Sequence, residues 1–160
     1  MTLRMYDSIT PANLPPGGDA YAGYTSGFWP DFPEIQRLFP HVRLLSIAVN
    51  AAHDATCLDV EKGDATIADV YGWLTRQIKR GVWRPVLYTS AANVAALLVT
   101  MHANGFTRAQ WRLWSAHYGT GKHICGPAPA GCGYPHVPLC DGTQWTDAAA
   151  GTHGTHVDES

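Results

Sequence analysis

The chain sets short apolar runs against amphipathic stretches, and most runs end on a polar or turn-forming residue. Residues 3–7 form a brief apolar segment closed by Asp7, with Pro15-Pro16-Gly17-Gly18 turning the chain soon after. Residues 20–25 (AYAGYT) read as a second strand. Residues 43–49 (RLLSIAV) are near-continuously apolar, the pattern of a parallel strand covered on both faces. Further strands are expected at residues 56–61, 84–89, 110–116 and 142–146, with an eighth at 154–158.

Between the strands the period lengthens. Ile35, Leu38 and Phe39 recur at helical spacing before Pro40 stops the turn. Thr66 stands three residues before Asp69 in a capping arrangement, and Val70, Trp73, Leu74, Gln77 and Ile78 continue one face up to Gly81. Residues 91–104 form an Ala/Leu/Val helix closed by Asn104-Gly105. Strands alternating with helices predict a parallel α/β sheet. Seven or eight of them predict a small, abbreviated (β/α) TIM-like barrel, mostly parallel. With 160 residues, several helices must be reduced to loops. Residues 119–140 carry too much Gly and Pro for regular structure and read as a long ordered loop.

Composition narrows the class. An apolar content of 46% with 15% charged residues is that of a single globular domain over residues 1–160, one that can also be cut from a longer multidomain protein. The net charge of −2 and the scattered arginines exclude a nucleic-acid stripe. No apolar run is long enough to span a membrane, and the first residues are not a signal peptide. The expectation is a chain made in the cytoplasm, monomeric, and exported by something outside it. Six Trp, seven Tyr and four Phe give many flat faces, which suit sugar rings as well as cores. Cys125, Cys132 and Cys140 fall in the long loop, where a disulfide between two of them is favoured. A zinc site with His123 or His136 is the rival, at spacings that match no standard pattern. No metal or cofactor is expected.

The chemistry concentrates in Thr56-Cys57-Leu58-Asp59-Val60-Glu61. On a strand, Cys57, Asp59 and Glu61 share one face, with the Asp59 and Glu61 backbones roughly 6.5–7 Å apart. Gly63 lets the chain turn away and leaves the carboxylates at the carboxyl end, where parallel α/β folds build their sites. Asp7 and Asp158 are expected on the same rim, with Tyr88, Trp114, His117, Tyr118 and Trp145 at comparable strand ends. Four acids ringed by aromatics fit a site that binds a polysaccharide and protonates a glycosidic oxygen.

In order along the chain, Asp7, Leu58-Asp59-Val60-Glu61, Pro85-Val86-Leu87-Tyr88-Thr89, Leu113-Trp114-Ser115-Ala116-His117-Tyr118-Gly119, Gln144-Trp145 and Val157-Asp158 resemble the landmarks of glycoside hydrolase family 25, the muramidase-type lysozymes. The resemblance spans almost the whole chain and looks like the version found in actinobacterial phage lysins. It implies a peptidoglycan hydrolase acting at the bacterial cell wall. Glu61 would be the general acid/base, Asp59 would stabilise the developing charge, and Asp7 and Asp158 would shape the field. Residues 8–11 depart from the family's Gln-rich stretch, and residues 119–140 replace a helix.

Two other readings compete. One is a catalytically weak barrel serving as a glycan-binding module of a lysin or virion. The other is metal-dependent hydrolysis by His53, Asp54, Asp59 and Glu61. Trp73 and Trp83 read as packing residues and Cys57 as a small buried one, while His123, His136, His153 and His156 read as loop residues without a specific role.

Overall fold

A computed structural model describes residues 3–135 and 137–160. Six parallel strands run in sequence order: β1 (Met5–Asp7), β2 (Ala20–Tyr24), β3 (Arg43–Ala48), β4 (Cys57–Asp59), β5 (Val86–Ser90) and β6 (Arg112–Ala116). The parallel strand β7 (Gly142–Gln144) follows β6. On the other flank β9 (His156–Glu159) pairs antiparallel with β1, and β8 (Thr146–Ala150) pairs antiparallel with β9. The order is therefore β7-β6-β5-β4-β3-β2-β1-β9-β8. The two edge strands, β7 and β8, are joined through Trp145 alone, so the nine-stranded sheet curls into a nearly closed, barrel-like form.

The sheet is mostly parallel as expected, β1 to β7 running the same way, and two features depart from the expected seven or eight strands. The run at 142–146 breaks at Trp145 and continues as β8, whose Thr-Asp-Ala-Ala-Ala sequence carries little apolar signal. The last strand is antiparallel because β8 returns to it by a tight turn, with the 3₁₀ turn Thr152–Gly154 between them.

Alternation along the strands divides the side chains between lumen and outer face. Ala22, Ile47, Cys57 and Trp114 pack inside with Met5, Tyr24, Leu45, Val86 and Tyr88. Leu58, Leu87 and Leu113 point outward and are covered by two helices, α2 (Val70–Lys79) and α3 (Val94–Ala103). Thr66 caps the entry to α2 as its sequence predicts. Its backbone N–H donates to Asp69 Oδ2 at 2.8 Å, while its hydroxyl donates to the same oxygen at 2.6 Å. Trp73 and Leu74 then fill the space against the sheet, and Trp73 Nε1 donates to the His53 carbonyl at 2.9 Å. In α3, Val94, Leu97 and Met101 make the buried stripe. The opposite outer face is closed by α1 (Phe32–Leu38), whose Ile35 packs with Tyr6, Tyr21 and Leu14.

Trp83 is not a packing residue. It sits 75% exposed in the turn before β5, under the guanidinium groups of Arg84 and Arg112. Cys57 is fully buried in the lumen, as expected of a small apolar side chain. No helix among the described residues is long and apolar enough to cross a membrane.

Candidate active site

Five of the parallel strands, β1, β2, β4, β5 and β7, each deliver one polar side chain to the mouth at the carboxyl end of the barrel. On β1, Tyr6 packs outward with Tyr21 while Asp7 turns inward. On β4, Leu58 packs under the helices, and Asp59 ends the strand opposite Tyr88 of β5. Tyr24 ends β2 and Gln144 ends β7, and the Tyr88 hydroxyl donates a short hydrogen bond to Gln144 Oε1. Asp158 arrives from the other direction. Antiparallel pairing sets it directly opposite Asp7, so it joins the rim by register rather than by ending a parallel strand.

The acids are hidden from water to different degrees. Asp7 is 4% and Asp59 5% exposed, while Glu61 and Asp158 are half-buried. Oδ1 of Asp7 and Oδ1 of Asp59 have no hydrogen-bond partner among the described residues. An ionised carboxylate so placed is costly, and the proton binds more tightly instead. Burial pushes Asp59 up to about 8, helped by the charges of Glu61 and Asp64. Burial, then Asp158, Asp31 and Asp59, hold Asp7 well above the usual carboxylate range. Asp158 is pushed up to about 6, chiefly by burial and then by Asp147. Glu61 is raised by burial and by Asp64, with the Ser90 backbone working the other way. The Tyr118 hydroxyl, pushed up to about 12 by burial and then by Asp158, belongs to the same cluster.

The position of Glu61 differs from the sequence reading. Strand β4 ends at Asp59, so Glu61 lies in the bend beyond it rather than on a shared strand face. Val60 stays buried because its N–H donates to the Tyr88 carbonyl at 2.9 Å and Thr89 Oγ1 donates to its own carbonyl at 2.7 Å. Gly63, at φ +103°, turns the chain away.

A cleft of about 780 Å³ opens outward from Asp59. Its walls include Tyr24, Val49, His53 and Asp64, and its rim carries Phe28 at 95% and Trp29 at 61% exposure. Exposed aromatic faces beside buried carboxyls suit a sugar chain. Sequence reasoning passed over Phe28 and Trp29, although two large aromatics between Gly27 and Pro30 mark a loop rather than a core segment. Tyr24 carried no signal in the sequence, and Gln144 entered only as a landmark of the resemblance; their places at the mouth follow from register.

The expected aromatic ligands divide. Tyr88 and Tyr118 are at the mouth, and Trp145 lies half-buried at the β7–β8 junction. Trp114 is buried in the lumen, its ring 4.6 Å from that of Tyr88 and its Nε1 donating to Ser160 Oγ at 2.9 Å, so it fills the barrel instead of facing a ligand. His117 turns away from the acids and meets His123, with Nδ1 3.1 Å from His123 Nε2. His123 thus has defined partners, unlike the plain loop residue expected. His136 and the side chain of His153 lie outside the described residues, and His156 begins β9. All four cysteines are free thiols, so none of the favoured pairings among Cys125, Cys132 and Cys140 is formed. Asp54 is taken up by α2, accepting from Arg76 Nε and Gln77 Nε2 at 2.9 Å each, which removes it from a metal set with Asp59 and Glu61.

The mouth can therefore hold a proton on one carboxyl beside a second, more accessible one, the requirement for general acid/base work on a substrate in the cleft. In comparisons with protein-family models, curated proteins and solved structures, the chain matches none.

Proposed function

We propose that the chain is a glycoside hydrolase that cuts the glycan strand of peptidoglycan, a lysozyme-like N-acetylmuramidase built on an abbreviated (β/α) TIM-like barrel. One observation carries this reading. A buried carboxyl, Asp59, stands at the inner end of an open cleft, with a second carboxyl, Glu61, two residues on. Glu61 gives its proton to the glycosidic oxygen as the bond to the anomeric carbon breaks, and the leaving sugar departs with a new hydroxyl. In its ionised form Asp59 stabilises the positive charge left on the anomeric carbon, directly or by orienting the substrate's acetamido group. Water then adds to that carbon and returns a proton to Glu61. Asp7 and Asp158 keep the surrounding field negative, and Phe28 and Trp29 stack on neighbouring sugars.

A second assignment of the pair has its own support. Asp59 is pushed up to about 8 and lines the cleft, whereas Glu61 does not line it. On this reading Asp59 is the proton donor and Glu61 the charge-stabilising carboxylate. Either way the domain works at the bacterial cell wall, as a monomeric part of a phage lysin or virion protein.

The test is release of new reducing ends from purified peptidoglycan. Wild type should release them, and Asp59→Asn and Glu61→Gln should each lose the activity while still sedimenting with the walls. Sedimentation without release by wild type would instead favour the glycan-binding module.

A further inference from the structure

We propose that His117, His123, Cys125 and Cys132 form a structural zinc site that pins the long loop after β6 to the barrel rim. The four side chains come from one stretch of chain that contains no helix or strand. Their ligand atoms nevertheless all lie within 4.8 Å of one another. His117 Nδ1 is 3.1 Å from His123 Nε2, 3.6 Å from Cys125 Sγ and 3.8 Å from Cys132 Sγ.

Those separations match the edges of a zinc tetrahedron. With Zn–N about 2.0–2.1 Å and Zn–S about 2.3 Å, tetrahedral ligands are about 3.3 Å apart for two nitrogens and about 3.6 Å apart for nitrogen and sulfur. Hydrogen bonding alone does not explain the convergence. One ring proton on His117 Nδ1 can serve only one of the three atoms facing it, whereas a cation at the centre serves all four.

The surroundings orient the ligands. His123 Nδ1 is 2.6 Å from the Gly121 carbonyl and 2.8 Å from Thr120 Oγ1, which places the ring proton there and leaves Nε2 as a lone-pair donor. The Cys125 N–H donates to Thr143 Oγ1 on β7 at 2.7 Å, and the Cys132 N–H donates to the Ile124 carbonyl at 3.0 Å. The Tyr134 ring packs on His117 at 4.7 Å between centroids. Cys140, although nearby in sequence, directs its thiol to the Pro138 carbonyl and stays outside the set.

Four protein ligands fill a tetrahedral shell and leave no position for water or substrate, which is the structural rather than the catalytic form of a zinc site. Two thiolates with two imidazoles suit zinc's borderline softness. The site adds to the contacts that tie the segment to the barrel, among them the His117 N–H to Gln144 carbonyl bond, the Lys122–Glu159 ion pair at 3.6 Å and the packing of Cys125, Val137 and Cys140 in the core. It thereby fixes Tyr118, the neighbour of His117, beside the acids at the mouth.

The full chain, produced with zinc and purified under reductant, should carry one equivalent of zinc by elemental analysis. After chelation, cobalt(II) should restore one equivalent with the d–d bands of a tetrahedral site and a thiolate-to-cobalt charge-transfer band. Cys132→Ser and His123→Ala should lose that equivalent, and Cys140→Ser should keep it. Reduced wild type that holds well under one equivalent, or cobalt bands lacking tetrahedral intensity, would overturn the proposal. So would a Cys125–Cys132 disulfide in protein kept in zinc without added oxidant, or loss of metal in Cys140→Ser alone. The wild-type stoichiometry and cobalt spectrum decide the matter even where a variant fails to fold.

Discussion

Asp7 and Asp158 are direct register partners across β1 and β9, the first on a strand running toward the mouth and the second on a strand running away from it. A like-charged pair at adjacent backbone positions is unfavourable when both groups are ionised. Here burial raises both groups, so the pair retains a proton over a wide pH range.

That arrangement sets the pH dependence of stability. A carboxyl whose pKa is raised by folding stabilises the fold fully below its unfolded value and loses that contribution as pH rises through its folded value. Asp158 acts between its ordinary 3.8 and about 6, and Asp59 between 3.8 and about 8. Asp54 and Asp69, both lowered, oppose this only in stronger acid. The melting temperature should therefore fall from about pH 5 to about pH 8. Asp59→Asn, which mimics the protonated side chain, should stabilise the protein by roughly 1–3 kcal/mol near pH 8 and leave it unchanged near pH 4. A flat profile in wild type would contradict the burial argument.

Roles within the acid pair separate by leaving group. Glu61→Gln should slow hydrolysis of the natural glycan by about 10²–10⁴-fold. On an aryl glycoside with a good leaving group, which needs no proton, most of that loss should disappear if Glu61 is the donor. If Asp59 is the donor, Asp59→Asn is the variant rescued. Turnover of the two substrates by both variants reads the assignment directly.

Phe28 and Trp29 project from the turn after β2 and contribute little to the core. Removing either ring should leave the melting temperature within about 2 °C, since surface changes of this kind are worth at most about 0.5 kcal/mol. Affinity for glycan should fall by roughly 5–10-fold, the loss of one stacked face. Equilibrium sedimentation with cell walls measures this, and unchanged affinity would place the sugar elsewhere.

Most of the barrel could be read from the chain because apolar runs such as residues 43–49 and helix faces such as Val70, Trp73 and Leu74 carry strong periodicity. Even the capping of Thr66 by Asp69 is local chemistry. What escaped reading depends on tertiary placement. Strand β8 has mostly small residues and is held by its pairing with β9, and Asp158 reaches Asp7 through antiparallel register. Trp114 and Tyr88 are direct register partners, yet one fills the lumen and the other meets Gln144 at the mouth. The ligand-like cluster was least legible, because its four side chains meet through loop conformation and no repeat spacing announces them.

Tyr88 and Gln144 provide a local check on the rim. Tyr88→Phe removes the donor to the buried side-chain Oε1 of Gln144 and should cost about 1–3 kcal/mol in chemical denaturation. A cost near zero would mean that the bond does not organise the mouth.

The cleavage proposed for the carboxyl pair at the mouth, of the glycan strand of peptidoglycan, is legible in its products. Its most direct measurement is to digest purified peptidoglycan, reduce the new sugar ends with borohydride, and identify them by mass spectrometry. Muramitol is expected from wild-type digests and none from Glu61→Gln. Glucosaminitol ends, or muramitol formed equally by the variant, would contradict the proposal.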